Sequence, residues 1–339
     1  TPISPASSAN FGPNPNPMPS PTKSSAQIPT PRCARVMITG AAGFVGGHLV
    51  RELEAHGHVV AATDAVPAAA LPGCRVVDLR DRDALRAFVR EARPDACVHL
   101  GAISFVPDGD RNPADLLTIN IAGTVNLAEA LRAEAPACRL LFVSTAQVYG
   151  PVTSIRAANV PIRENAPLLP LSMYAISKTA AEHAVSAYGA AHGMQTLIAR
   201  PANHTGPGQS PKFVAVSFAR QILAAKVGEI AEIRVGNLES IRDFTDVRDV
   251  VRAYRLILEH GQSGMAYNIT TNARVSIREL LDRLMTLAGV HPPVAVDPEL
   301  YRPSDASLRL DVSRLREHTG WTPRFSLDQT LADILACFR

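Results

Sequence analysis

Nowhere in the 339 residues does an apolar run approach the roughly 20 residues that a membrane-spanning helix needs, so no such helix and no membrane partner are expected. Neither sign of charge dominates. Thirty-four Lys and Arg stand against 31 Asp and Glu, a net charge of +3 with no basic stripe, which makes no electrostatic case for nucleic acid. Cysteine follows no pairing pattern, because Cys33, Cys74, Cys97, Cys138 and Cys337 are odd in number and widely scattered. Cys74, Cys97 and Cys138 lie in or beside apolar strand-like runs, so buried free thiols and a reducing, cytoplasmic location are the expectation. Metal-ligand spacing is missing as well. His56 and His58 flank a turn, His183, His192 and His204 are dispersed, and no carboxylate or thiol completes a set, so no metal is expected. No internal repeat is visible.

Residues 1–32 lack acidic side chains and any hydrophobic period, and are rich in Pro, Ser and Asn. Such a segment buries too little apolar surface to offset the entropy of ordering, and it has no secretory-signal core. It reads as a disordered tail without chemistry. The remainder, in a chain 46% apolar and 19% charged, is long enough for one large α/β domain or two smaller ones.

From Arg35 onward, short apolar runs alternate with helical spacing. "RVMITG", "HVVAATD", "CRVVDL", "ACVHLGA" and "RLLFVST" read as strands; "FVGGHLVRELEAHG", "DRDALRAFVREARP" and Asn120 to Glu134 read as helices. That alternation predicts an α/β, Rossmann-type doubly wound parallel sheet, with ligands beyond the carboxyl ends of its strands. After about Arg200 the regularity loosens and Gly and Pro cluster. The expected organisation is a nucleotide-binding domain over 33–200, with 201–339 mainly a smaller, discontinuous α/β cap that sends segments back to it.

"GAAGFVGG" places Gly40, Gly43 and Gly46 between a strand and a helix that opens on Phe44 and Val45. Glycines so spaced permit a tight turn and let backbone approach a pyrophosphate at the helix N-terminus. Asp64 ends the second strand, where a carboxylate accepts from ribose hydroxyls and repels a 2′-phosphate, favouring NAD(H) over NADP(H). Asp78, followed by Leu79, is placed either to contact adenine or to cap the next helix. "SMYAISK" sets Tyr174 and Lys178 four apart, on one helix face. A phenol titrates near 10, and an ammonium one turn away favours its ionised form, while Thr145 in "STAQVYG" offers a second hydrogen bond to the same substrate oxygen.

These motifs, in this order from about Arg35 to the C-terminus, resemble the extended short-chain dehydrogenase/reductase (NAD-dependent epimerase/dehydratase) family of sugar-nucleotide enzymes. "HLGA" (Leu100, Gly101 and Ala102) stands where the family usually has "HLAA", and Asn120 opens "NIAGTVNLAEA". The resemblance implies NAD(H) or NADP(H) as cofactor, Thr145, Tyr174 and Lys178 as the catalytic trio, and a homodimer built on two helices of the nucleotide domain. "RPANHTGPGQSPKFV", "VGNLESIRDFTDVRDVVRAY" and "YRPSDASL" are similar to the branch handling GDP-mannose derivatives, its 4,6-dehydratases and 4-keto-6-deoxy-mannose reductases. That likeness makes Ser104, Gln147 and Asn203 candidates for the sugar or pyrophosphate. Arg220, Arg242 and Arg302 become candidates for the diphosphate, and Asp305 for guanine or ribose.

In dehydratases of this resemblance a glutamate follows the threonine by two residues and removes the C5 proton. Here that position is Gln147, which accepts no proton at physiological pH. The expected reaction is therefore reduction of the C4 ketone of GDP-4-keto-6-deoxy-D-mannose, giving GDP-D-rhamnose or its 4-epimer. A nucleotide-sugar 4-epimerase holding NAD tightly, a 4,6-dehydratase and a non-catalytic nucleotide sensor are the alternatives.

Overall fold

The computed structural model describes residues 34–104, 111–151, 160–301 and 308–338. The chain opens with β1 (Arg35–Thr39), α1 (Phe44–Ala55), β2 (Val59–Asp64), β3 (Arg75–Val76), α2 (Arg82–Ala92) and β4 (Ala96–His99). Helix α3 (Pro113–Leu117) runs through one π turn, Thr118–Ala122, into α4 (Gly123–Glu134). Next come β5 (Arg139–Val143), a 3₁₀ turn at Ala146–Tyr149, α5 (Met173–His192) and β6 (Thr196–Pro201). With β11 (Ala266–Ile269) these strands form one seven-stranded sheet in the order β11-β6-β5-β4-β1-β2-β3, parallel at every pairing. The order reverses between β1 and β4, and a crevice at their carboxyl ends is where such sheets take ligands.

Two-residue alternation decides what each strand gives to each face. Val36 and Ile38 of β1, with Leu141 of β5, enter a core against α1 and α7 (Val247–His260), closed by Trp321. Met37, Leu140 and Phe142 point the other way, into a core with Leu85, Phe88, Leu131 and Val185 from α2, α4 and α5. Both faces are covered, so β4, β5 and β6 are buried along their whole length. The run "CRVVDL" yields only the two paired residues of β3. At the edge of the sheet Arg75 and Val76 are exposed, and Asp81 starts α2 by accepting from Ala84 N–H at 3.0 Å.

After β6 the chain builds small two-stranded pairs: β7 (His204–Thr205) with β10 (Thr245–Asp246), β8 (Ile233–Val235) with β13 (Val294–Val296), and β9 (Ile241–Asp243) with β12 (Arg274–Ser276). Helices α6 (Val214–Lys226), α8 (Ile277–Ala288) and α10 (Leu327–Ala336) enclose a separate core containing Phe218, Ile222, Leu284 and Leu331. Helix α7, strand β11 and helix α9 (Ser313–Thr319) return to the large sheet.

Cys97 and Cys138 are buried free thiols. Cys74, expected to be buried, is partly exposed because it precedes the short edge strand, and Cys337 is exposed. Among the described residues no helix is long and apolar enough to cross a membrane, and no group of three His, Cys, Asp or Glu side chains is placed to hold a metal ion. The Pro-rich segment 1–32, Arg302 and Asp305 lie outside the described residues.

Candidate active site

A cavity of about 1080 Å³ opens along the carboxyl ends of β1, β2, β4 and β5, roofed by residues of the region after β6. That volume exceeds what a single drug-sized ligand usually occupies, so the cleft has room for two. Gly40 turns the chain out of β1 with φ +73°, and a Cβ there would stand 2.7 Å from Gly101 N. At Gly46 a Cβ would stand 2.5 Å from the Gly40 carbonyl. Any larger residue would push this loop off β4 and off its own helix. Gly43 caps α1 without a side chain and no acid occupies the first turn, so the N–H groups of Phe44, Val45 and Gly46 are left to an outside acceptor. An uncapped helix start in a glycine cradle fits an anionic pyrophosphate.

Asp64 sits where β2 enters the cleft, and its Oδ2 accepts from Ala42 N–H at 2.9 Å, tying the strand end to the glycine loop. Asp78 is not a helix cap, since that place belongs to Asp81. It pairs with Arg80, whose Nη2 donates to its Oδ2 at 2.6 Å; the guanidinium holds the Asp78 carboxyl below its usual range. Leu79, Leu100, Gly101 and Ala102 complete this end of the wall.

Ser172 accepts from Ala175 N–H at 3.1 Å and so starts α5, setting Tyr174 in the first turn and Lys178 one turn later. The Lys178 ammonium is buried, donates to the Val143 carbonyl at 2.8 Å and stands 5.0 Å from the Phe142 ring centroid. Burial lowers its pKa to about 8. Burial pushes the Tyr174 phenol up to about 12, against a hydrogen bond from Thr145. Thr145, the second residue after β5, caps the 3₁₀ turn: its Oγ1 accepts from Gln147 N–H at 3.2 Å. At neutral pH the site therefore presents a protonated phenol beside a threonine hydroxyl, with a buried cation one turn below.

A buried polar chain fixes the floor. Thr124 donates to the Asn120 carbonyl at 2.6 Å, so its oxygen accepts from His99 Nε2 (2.9 Å), and His99 Nδ1 accepts from Thr39 Oγ1 (2.6 Å). Burial, helped by the Lys178 charge, drops the His99 pKa to about 3 and keeps that imidazole neutral. Asn120, on the π turn, accepts from Ile103 N–H at 2.8 Å and donates to Ser177 Oγ at 2.9 Å. It clamps the loop after β4 to the first turns of α5.

A family model described as GDP-mannose 4,6 dehydratase matches residues 37–334. The chain belongs to this family. It is 39% identical over 304 residues to GDP-6-deoxy-D-mannose reductase of Pseudomonas aeruginosa, covering 89% of this chain and 96% of that protein. The structure of RMD from Pseudomonas aeruginosa complexed with NADPH superposes with a TM-score of 0.80 at 37% identity, covering 89% and 98% of the two chains. Thermus thermophilus UDP-glucose 4-epimerase complexed with NAD superposes with a TM-score of 0.78 at 31% identity, again over 89% and 98%. Reductase and epimerase relatives thus share the fold, and the dehydratase/epimerase membership matches the sequence motifs.

Within this family member, Ser104, Gln147, Asn203 and Arg242 all line the cleft. Gln147 rides the 3₁₀ turn after β5 with its side chain exposed to the cavity. Arg220 does not line it. It is solvent-exposed on α6, whose Val214, Ser217 and Phe218 face the cleft instead. The helical period of "VAVSFARQIL" carries that signal, because Ala215, Val216, Phe218, Ala219 and Ile222 are buried and leave Arg220 outside. Sequence reasoning missed Lys212 and Arg234, two cations on the cleft wall. It also missed Gln209, which is buried between Thr205 and the His204 carbonyl. Gln209 and Lys212 come from a loop of irregular spacing and Arg234 from the three-residue β8, too short for a period to mark it. Among the described lining residues only Asp64 and Asp78 carry a carboxylate, both at the β2–β3 end.

Proposed function

We propose that this protein reduces the C4 ketone of a GDP-linked 4-keto-6-deoxyhexose, GDP-4-keto-6-deoxy-D-mannose in the first instance, to GDP-D-rhamnose or its 4-epimer. The observation that carries this reading is the absence, among the described lining residues, of a carboxylate near Tyr174, with the neutral amide of Gln147 on that wall. Dehydration needs a base to take a proton next to the carbonyl. Ketone reduction needs a hydride and one proton. NADH or NADPH, when bound, supplies the hydride.

The protein's own residues do the rest. The glycine loop and the start of α1 bind the pyrophosphate, and Asp64 takes the adenosine ribose. Tyr174, protonated because its pKa is pushed up to about 12, gives its proton to the ketone oxygen as negative charge develops there. Thr145 donates to the phenol oxygen and stabilises it once the proton has left. The buried Lys178 cation acts in the same direction. Lys212, Arg234 and Arg242 bring positive charge to the far part of the cleft, where a sugar-nucleotide diphosphate is received. The division into a nucleotide-binding domain over 33–200 and a substrate cap, a homodimer through two helices of the nucleotide domain, and cytoplasmic residence belong to the same reading.

The test supplies the keto sugar with NADH or NADPH and follows cofactor oxidation and the deoxysugar product, in parallel with GDP-mannose and NAD or NADP. Oxidation with the keto sugar and no keto product from GDP-mannose is the expected pair of results. The reverse pair would replace the reductase by a dehydratase. Asp64 beside the glycine loop lends some support to a second reading, a 4-epimerase that retains NAD. Protein purified with stoichiometric NAD and inert toward external NAD(P)H would favour it.

A further inference from the structure

Three charged side chains line the β2–β3 end of the cleft: Asp64, Asp78 and Arg80. Strand pairing sets Asp64 opposite Val76, and Val77 N–H donates to the Asp64 carbonyl at 2.8 Å. Asp78 and Arg80 therefore follow directly on the residues paired with Asp64. Arg80 is the one cation among the described lining residues from β1 through the loop after β4. Its guanidinium is turned onto Asp78, with Nε 3.0 and 3.1 Å from the two carboxylate oxygens and Nη2 2.6 Å from Oδ2. The Arg80 backbone N–H adds a 2.8 Å bond to Oδ1, closing a local ring. Asp78 is free for this because Asp81 caps α2. Both partners line the cleft and are open to solvent, with side-chain exposures of 52% for Arg80 and 36% for Asp78.

NADP(H) differs from NAD(H) by a phosphate on the adenosine 2′ oxygen, and that phosphate would meet the Asp64 carboxylate. A nearby cation could compensate only if it were available. We propose that the Asp78–Arg80 pair sets the choice between NAD(H) and NADP(H). It keeps the local cation directed at Asp78, leaves Asp64 to the ribose hydroxyls, and so disfavours the 2′-phosphate. The inference rests on the dinucleotide reading of the cleft and adds a chain-specific element to it, a carboxylate whose work is to occupy an arginine.

The experiment titrates NADH and NADPH, by fluorescence or calorimetry and without sugar substrate, into wild type, Asp78→Asn, Arg80→Ala and the double variant. The readout is the ratio of the two dissociation constants, which cancels any loss of adenine contact common to both cofactors. Asp78→Asn releases Arg80 and shifts the ratio toward NADPH by about fivefold, the size of one solvent-exposed charge contact. The shift disappears in the double variant and shrinks as salt is raised. An unchanged ratio in Asp78→Asn, or a shift that survives removal of Arg80, overturns the proposal while leaving dinucleotide binding intact. Failure of either dinucleotide to bind the wild-type protein overturns this proposal and the cofactor reading together.

Discussion

Replacing Lys178 by Met should make the protein more stable at neutral pH while removing its activity. The side chain is 4% exposed, and burial lowers its pKa from the ordinary 10.5 to about 8, which corresponds to roughly 3 kcal/mol against the ammonium in the folded state. The shift is the net difference between the two protonation states, with the hydrogen bond to the Val143 carbonyl at 2.8 Å and the Phe142 ring 5.0 Å away acting on the side of the ammonium. Methionine fills similar space without charge, so Lys178→Met gains up to about 3 kcal/mol at about pH 7. The pH dependence is the sharper part. Between about 8 and 10.5 the unfolded chain keeps a proton that the folded chain has released, so wild-type stability rises with pH relative to the variant. The difference between the two proteins should move by about 2 kcal/mol in favour of wild type from about pH 7 to about pH 10. Urea unfolding of both proteins at the two pH values measures it. A difference that does not change with pH, or that moves in the variant's favour, would refute the account of Lys178 as a cation held at a cost in stability.

Tyr174→Phe removes the proton donor and should lower turnover by about 10²–10⁴-fold while dinucleotide binding persists; stopped-flow oxidation of NAD(P)H with the keto sugar measures the first and fluorescence titration the second, and near-normal turnover would remove Tyr174 from its role. Gly46→Ala places a Cβ 2.5 Å from the Gly40 carbonyl and 2.6 Å from Ala41, backbone that cannot yield cheaply. It should cost about 1–3 kcal/mol in unfolding experiments and weaken dinucleotide binding at least about tenfold; wild-type values in both assays would mean the loop is not close-packed as described.

What the sequence makes legible follows from the range of the interactions involved. The glycine loop, Asp64 and the Tyr174–Lys178 pair are each specified within a few residues by turn geometry or by helical spacing. The first strands are legible for the same reason, since parallel strands covered on both faces are apolar throughout. The environment of those residues is not local. Lys178 meets Val143 from 35 residues away, and Asn120 meets Ser177 across 57. Such contacts arise when the sheet order places β4, β5 and α5 side by side, and no spacing in the chain announces them. The region after β6 is harder still. Apart from β11, its strands are two or three residues long; Lys212 reaches the cleft from a loop and Arg234 from the middle of the three-residue β8. Arg220 shows the opposite case, where a chemically attractive residue lay on the outer face of a helix whose period already said so.

The π turn at Thr118–Ala122 amounts to an extra residue held within an otherwise continuous helical run. Each residue advances an α-helix by roughly 100°, so the turn gives α3 and α4 different rotational phases. Deleting one residue there would restore a regular helix with little change in composition. It would also swing Asn120 away from Ile103 and Ser177, or turn the buried face of α4 off the sheet. A single chain thus satisfies two incompatible helical registers, one set by the core and one set by the cleft, and the irregular turn is the joint between them.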